Sequence, residues 1–136
     1  MYSPQVLDHF EHPRNPGSLA APDASVCLEN PACGDLLELT VRVSGGCIAE
    51  IRFRAKGCVA AMACGSALTE LATGKTPAEA AKLRREDLLE AVGGLPPASS
   101  HAGHLAMDAL KEALRQLSKK TSTPESEAPA KTPLSS

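Results

Sequence analysis

Two of the five cysteines, Cys33 and Cys58, lie where the chain is predicted to enter or leave a strand. Cys33 lies in a turn immediately before one strand, and Cys58 lies between the next strand and a helix. Gly34 and Gly57 stand beside them, and glycine lets a backbone approach a bulky group closely. Because a hairpin brings the start of its first strand close to the end of its second, we expect both thiols at one end of the sheet.

An aspartate and a histidine are expected to join these thiols. Asp35 follows Cys33 by two residues, and His101 begins the last predicted helix. Cys58 would occupy a helix N-terminus, where free N–H groups and the helix dipole favour a thiolate. Two thiolates, an imidazole and a carboxylate suffice for a tetrahedral zinc ion or an iron–sulfur cluster. The two cysteines do not form a CxxC-type signature, so two unrelated turn cysteines are the alternative from the pattern alone.

The other three cysteines are interpreted as structural or incidental. Cys64 lies on the apolar side of an alanine-rich helix and is predicted to be buried and inert. Cys47 stands beside two glycines at a hairpin tip and is interpreted as incidental. Cys27 lies six residues before Cys33, close enough to act as a resolving thiol, although an incidental role is the simpler interpretation. The chain has no CxxC redox motif, which argues against a thiol oxidoreductase.

Composition excludes several classes of function. The chain has 136 residues, a net charge of −2 and a sequence pI near 6.1, so it has no basic excess for a nucleic-acid partner. No stretch approaches the roughly 20 apolar residues of a membrane span. The polar, proline-punctuated start lacks the apolar region of a signal peptide. We therefore expect a cytoplasmic protein that binds neither nucleic acid nor membrane.

The hydrophobic pattern predicts strands first and helices afterwards. Alternation over residues 36–43 and again over 51–56 indicates a hairpin, and residues 25–29 favour a brief edge strand. This order is typical of an α+β fold, with about three antiparallel strands and helices packed on one face. We place one domain at residues 1–117 and a disordered tail at 118–136. Helices are predicted at residues 5–11, 59–73, from 76, around 85–92, and from 99 or 100 to 117.

Four segments of the chain, taken in order, form a recognisable set. They are Tyr2-Ser3-Pro4-Gln5-Val6-Leu7-Asp8-His9-Phe10-Glu11-His12-Pro13-Arg14-Asn15, Pro31-Ala32-Cys33-Gly34-Asp35, Lys56-Gly57-Cys58 leading into Ser66-Ala67-Leu68-Thr69-Glu70-Leu71, and Leu95-Pro96-Pro97 followed by His101. With these segments, the chain from Tyr2 to about Leu117 resembles the IscU/NifU-type iron–sulfur cluster assembly scaffolds.

The resemblance implies an IscU/SufE-like fold and a carrier rather than an enzyme. It implies a protein that takes sulfur from a cysteine desulfurase, collects iron, assembles a [2Fe–2S] cluster and passes it to recipient apoproteins. Cys33, Cys58 and His101 match the ligand positions, and Asp35 matches the carboxylate that keeps the cluster labile. A carboxylate among softer thiolates weakens iron retention, which suits transfer.

The chain also departs from the family pattern at two places. Ala102 stands where the family has its third cysteine, directly after the histidine. His104 is one candidate to replace that ligand, although pairing with Asp108, four residues on, is the simpler interpretation. Alternatively, two chains could share one cluster as a homodimer. Ala98 and Ser99 follow Pro97 where the bacterial family has Val-Lys, which argues against a chaperone partner.

Two interpretations of function follow from these residues. The first is a scaffold that builds and transfers a [2Fe–2S] cluster. The second is a paralogue that builds no cluster, either a zinc-binding sulfur relay or a regulator that binds the desulfurase. The retained Cys33, Asp35, Cys58 and His101 favour the scaffold, and the missing third cysteine favours the paralogue.

Overall fold

A computed structural model describes residues 2–30 and 34–122. Its sheet has three antiparallel strands in the order β1 (Ala24–Asn30), β2 (Asp35–Ser44) and β3 (Cys47–Lys56). Gly45 and Gly46 both have positive φ, as a two-residue hairpin turn between right-twisted strands requires. β3 begins at Cys47, four residues before the predicted start, because pairing with β2 continues to the turn. The predicted α+β fold is confirmed.

Five α-helices and a short 3₁₀ helix complete the described part of the chain. They are α1 (Pro4–Glu11), α2 (Val59–Ala72), α3 (Pro77–Ala80), α4 (Arg85–Ala91), the 3₁₀ helix (Pro97–Ser99) and α5 (His101–Ser122). Ser3 caps α1 by accepting the backbone N–H of Val6, and Thr76 and Glu79 form a capping box on α3. None of the helices in the described ranges is long and apolar enough to cross a membrane.

The core lies between one face of the sheet and the two longest helices. Alternate residues of β2, including Leu37, Leu39 and Val41, are almost fully buried. α2 packs on β3, and α5 packs on β1 and β2. Gly65 shows how closely α2 approaches β3, because a Cβ there would lie 2.6 Å from Cδ2 of Phe53. Small residues on α2 therefore let the helix lie tightly on the sheet.

The last helix differs from its predicted extent. α5 continues to Ser122, five residues beyond the predicted end at Leu117. The predicted disordered tail is therefore wrong for residues 118–122, and residues 123–136 lie outside the described ranges.

Candidate metal centre

Asp35, Cys58 and His101 come together because each stands at the end of an element. Asp35 is the first residue of β2, Cys58 is the N-cap of α2, and His101 is the first residue of α5. Oδ2 of Asp35 lies 2.7 Å from Nε2 of His101 and 3.3 Å from Sγ of Cys58. Sγ of Cys58 lies 4.0 Å from Nε2 of His101. One ligand atom from each residue therefore lies within 4.8 Å of the others.

Asp35 organises this corner with both of its oxygens. Its residue surface is only 2% exposed, and Oδ1 accepts the backbone N–H of Cys58 at 3.1 Å. That bond joins the start of β2 to the start of α2. A carboxylate buried this deeply is tolerated because hydrogen-bond donors reach both of its oxygens.

Gly57 is the residue that lets Asp35 reach Cys58. Its φ is +121°, and a Cβ on it would lie 2.0 Å from Oδ1 and 2.9 Å from Cα of Asp35. No other residue type fits there without moving Asp35. The sequence indicated that this glycine allows a close approach, but the group that approaches is the carboxylate of the site itself.

The pKa values of Asp35 and Cys58 move in opposite directions. Burial raises the pKa of the Cys58 thiol, and the nearby Asp35 raises it further, although the first N–H groups of α2 act the other way. For Asp35, burial is the largest single influence and favours a higher pKa. Hydrogen bonds from the Cys58 thiol, its backbone N–H and His101 together outweigh burial and hold the pKa below its usual value. The net shift in the pKa of the Cys58 thiol is therefore upward, opposite to the lowering expected from the helix N-terminus alone.

The hydrogen bonds of this corner converge on Oδ2 of Asp35. The thiol of Cys58 donates to this oxygen, and an ionised Asp35 also accepts from Nε2 of His101. A thiolate-binding ion must displace the thiol proton. Cys58 is half-buried and the His101 side chain is 30% exposed, so the corner is open to solvent on the side of His101.

Three of the four predicted site residues thus converge. Cys33 lies outside the described residues, and its part in the site stays a prediction. A sulfur, a nitrogen and a carboxylate oxygen in a partly open corner form a donor set that suits zinc or iron. Gly34, the residue before Asp35, has a φ of +74° and marks a tight entry into β2.

The residues considered as replacements for the third cysteine are not among the three that converge. Ala102 is 1% exposed and faces the core. His104 is exposed, and within the described ranges no ion pair joins it to Asp108, so that predicted pairing is wrong. Cys27 is exposed on β1, and Cys47 is half-buried at the start of β3. Cys64 is fully buried, as predicted, and burial raises its thiol pKa to about 12.

The chain matches the family model described as the NifU-like N terminal domain over residues 1–124. The chain belongs to the IscU/NifU family. The iron-sulfur cluster assembly scaffold protein IscU 1 of Archaeoglobus fulgidus is 45% identical over 114 residues, which cover 84% of this chain and 74% of that protein.

Two further family members extend the comparison. The mitochondrial iron sulfur cluster assembly protein 1 of Candida glabrata is 40% identical, with 90% of this chain and 60% of that protein covered. With a mitochondrial relative at this identity, the cytoplasmic location stays a prediction. The crystal structure of a nitrogen-fixing NifU-like protein (N-terminal) from Brucella abortus superposes with a TM-score of 0.72 at 18% identity. It covers 87% of this chain and 94% of that one, and supports the fold.

Proposed function

We propose that this chain is an iron–sulfur cluster assembly scaffold that builds a labile [2Fe–2S] cluster and passes it to recipient apoproteins. Cys33, Asp35, Cys58 and His101 are the proposed ligands. The convergence of Asp35, Cys58 and His101 within 4.8 Å, at the ends of three different elements, carries the proposal. The scaffold named in Archaeoglobus fulgidus supports it at 45% identity.

The mixture of donors suits cargo that must leave again. Thiolate and imidazole hold iron well, whereas a carboxylate is a harder ligand and competes less effectively for a cluster iron. Asp35 also has three donors of its own in the metal-free corner, from Cys58 and His101. Release of cargo therefore returns Asp35 to a set of satisfied hydrogen bonds, which favours transfer.

Sulfur supply is proposed to come from a cysteine desulfurase. Since Ala102 is buried where the family has a cysteine, the first turn of α5 offers no thiol. Cys33 and Cys58 are then the proposed thiols of the site, and Cys58 is open to a partner from the side of His101. We also propose that two chains share one cluster through these thiols. Native mass spectrometry of the loaded protein measures the number of chains per cluster.

A zinc-binding sulfur relay or desulfurase regulator is the second candidate. Ala102 stands at the third cysteine position of the donor set. This observation weakens the scaffold candidate and favours the zinc-binding candidate. Sulfur, nitrogen and oxygen donors in tetrahedral array are an ordinary zinc set. Zinc would fill the corner without giving a visible chromophore, and this separates the two candidates.

Anaerobic reconstitution with ferrous iron, cysteine, a desulfurase and a thiol reductant, which supplies the electrons that convert persulfide sulfur to sulfide, distinguishes them. We expect visible charge-transfer absorption that Cys58→Ala abolishes and that Cys47→Ala, a half-buried thiol at the far end of β3, retains. Stoichiometric zinc with no colour would replace the scaffold with the zinc-binding candidate. Equal colour in both variants would contradict a role for Cys58.

A further inference from the structure

The outer edge of β1 is open along part of its length. The side-chain amide of Gln116 holds both backbone groups of Ser25, accepting its N–H at 2.9 Å and donating to its C=O at 3.0 Å. Backbone groups along an antiparallel strand alternate between the partner strand and the outside. Because Ser25 points outward and the β1–β2 register is regular, Cys27 and Glu29 point outward too.

The outward backbone groups of Cys27 and Glu29 have no hydrogen-bond partner within the described ranges. The opposite edge of the sheet differs, since Phe53 on β3 donates to Asn15 and accepts from Gly17. An edge with free N–H and C=O groups is a template for another strand. At Ser25, the side-chain amide of Gln116 already bonds the backbone groups that another strand would use. The open stretch of the edge therefore begins at Cys27.

An acidic groove runs beside this open stretch. Its volume is about 390 Å³, and Cys27, Leu28, Asp108 and Glu112 are among the residues that line it. Asp108 is exposed and forms no ion pair with a described residue, and Glu29 is exposed on the strand itself. Glu112 is already paired with Arg115 through two hydrogen bonds. The charge left unpaired along the groove is therefore negative.

We propose that the outer edge of β1 at Cys27 and Glu29 docks an extended partner segment that carries lysine or arginine side chains. Backbone hydrogen bonds to the edge would supply affinity, and a basic side chain facing Asp108 would select the partner. β1 ends at Asn30, three residues before Cys33.

Two other occupants fit less well. A second copy pairing edge to edge would bring Glu29 and Asp108 of both chains together, and like charges oppose this. The chain's own residues 123–136 carry Pro124, Pro129 and Pro133, which cannot donate to a ladder, as well as two glutamates. Both alternatives become outcomes of the test.

The test uses the metal-free full chain, so it is independent of the proposed cluster chemistry. The probe is the capped hexapeptide Lys-Val-Lys-Val-Lys-Val, followed by amide NMR and hydrogen exchange. We expect exchange to slow at Cys27 and Glu29 and the shift changes to cluster along β1 and α5. The same peptide with all backbone amides N-methylated keeps its charge but lacks every backbone N–H donor, and we expect it not to bind.

Matched charge variants test the selectivity. Asp108→Asn is expected to weaken peptide binding about two- to fivefold, the range of one exposed ion pair, whereas Glu86→Gln on α4 leaves binding unchanged. Equal binding of the N-methylated peptide, unchanged exchange at Cys27 and Glu29, or equal effects of the two variants would overturn the proposal. So would slow exchange that depends on protein concentration without peptide, or that vanishes when residues 123–136 are removed.

Discussion

The start and the middle of α2 lie in opposite surroundings. At its start, Cys58 is half-buried beside Asp35 and the partly exposed His101. Two turns later, in the middle of the helix, Cys64 and Ser66 are fully buried, and Ser66 holds His9 of α1. Both places bring a histidine to a polar partner. At the start of the helix, the partner set includes a thiol and faces solvent.

The difference separates the corner formed by Asp35, Cys58 and His101 from a structural anchor formed around Ser66 and His9. In the anchor, Oγ of Ser66 lies 2.8 Å from Nδ1 of His9 and accepts the backbone N–H of Arg14 at 2.8 Å. Thr69 and Asn15 continue the same network. Every one of these groups is satisfied within the protein, so nothing is left to bind. The corner keeps its polar atoms close together and reachable, which is the condition for exchanging a metal.

Breaking the corner at Gly57 is expected to have the largest effect. Gly57→Ala combines strain at φ +121° with a Cβ that would lie 2.0 Å from Asp35. Gly17→Ala is the matched control, because its φ of +116° is similar but nothing lies within 4 Å of the Cβ. We expect Gly17→Ala to lose about 1–2 kcal/mol of unfolding free energy and Gly57→Ala at least about 2 kcal/mol more, in urea titrations. Equal losses of unfolding free energy in the two variants would show that Asp35 moves away from the added Cβ at little cost.

Breaking the anchor at Ser66 should lower stability without touching metal binding. Ser66→Ala leaves His9 and the N–H of Arg14 without a partner, and we expect a loss of about 1–3 kcal/mol in urea titrations. Ser44→Ala, on the exposed end of β2, is expected to change little. Zinc affinity of the Ser66 variant, measured by competition with a chelator, should equal that of the parent. A large drop in zinc affinity would mean that the start and the middle of α2 are coupled.

The buried thiol of Cys64 should appear in the alkaline stability of the metal-free chain. Its pKa is raised from about 9 to about 12, so the folded form keeps a proton that the unfolded form loses. This contribution is fully present below pH 9 and is lost as pH rises toward 12. The slope is about 1.4 kcal/mol per pH unit. Cys64→Ala should flatten this part of the stability curve, and Cys47→Ala should not. An unchanged slope in the Cys64 variant would contradict its burial.

Changing Asp35 should act mainly on the lifetime of the cargo. Asp35→Ala removes the hard ligand, and we expect a reconstituted cluster to decay several-fold more slowly in the presence of a chelator. Glu38→Ala, on the outer face of β2, is the matched control. Faster cluster loss in the Asp35 variant would show that Asp35 holds the cluster rather than loosening it.

Much of the site was predictable because its residues stand at element boundaries. Turn residues and alternation placed Asp35 and Cys58 at one end of the sheet, and the capping region of the last helix placed His101. The raised pKa of the Cys58 thiol was not predictable, since the burial that causes it depends on how α2 and α5 pack around the corner. The same holds for the fit of Asp35 against Gly57. His104 and Asp108 have the right spacing for a pair, yet their side chains do not meet.

Cobalt binding to the metal-free chain tests the central geometric claim most directly. Cobalt(II) reports thiolate ligation through a near-ultraviolet charge-transfer band and coordination number through its visible bands. We expect one ion per site with thiolate ligation, and the thiolate band should weaken in Cys58→Ala, which leaves Cys33 as the remaining proposed thiol, shift in His101→Ala and stay unchanged in Cys47→Ala. A full thiolate band in Cys58→Ala, or no cobalt binding by the parent chain, would contradict a metal centre at Asp35, Cys58 and His101.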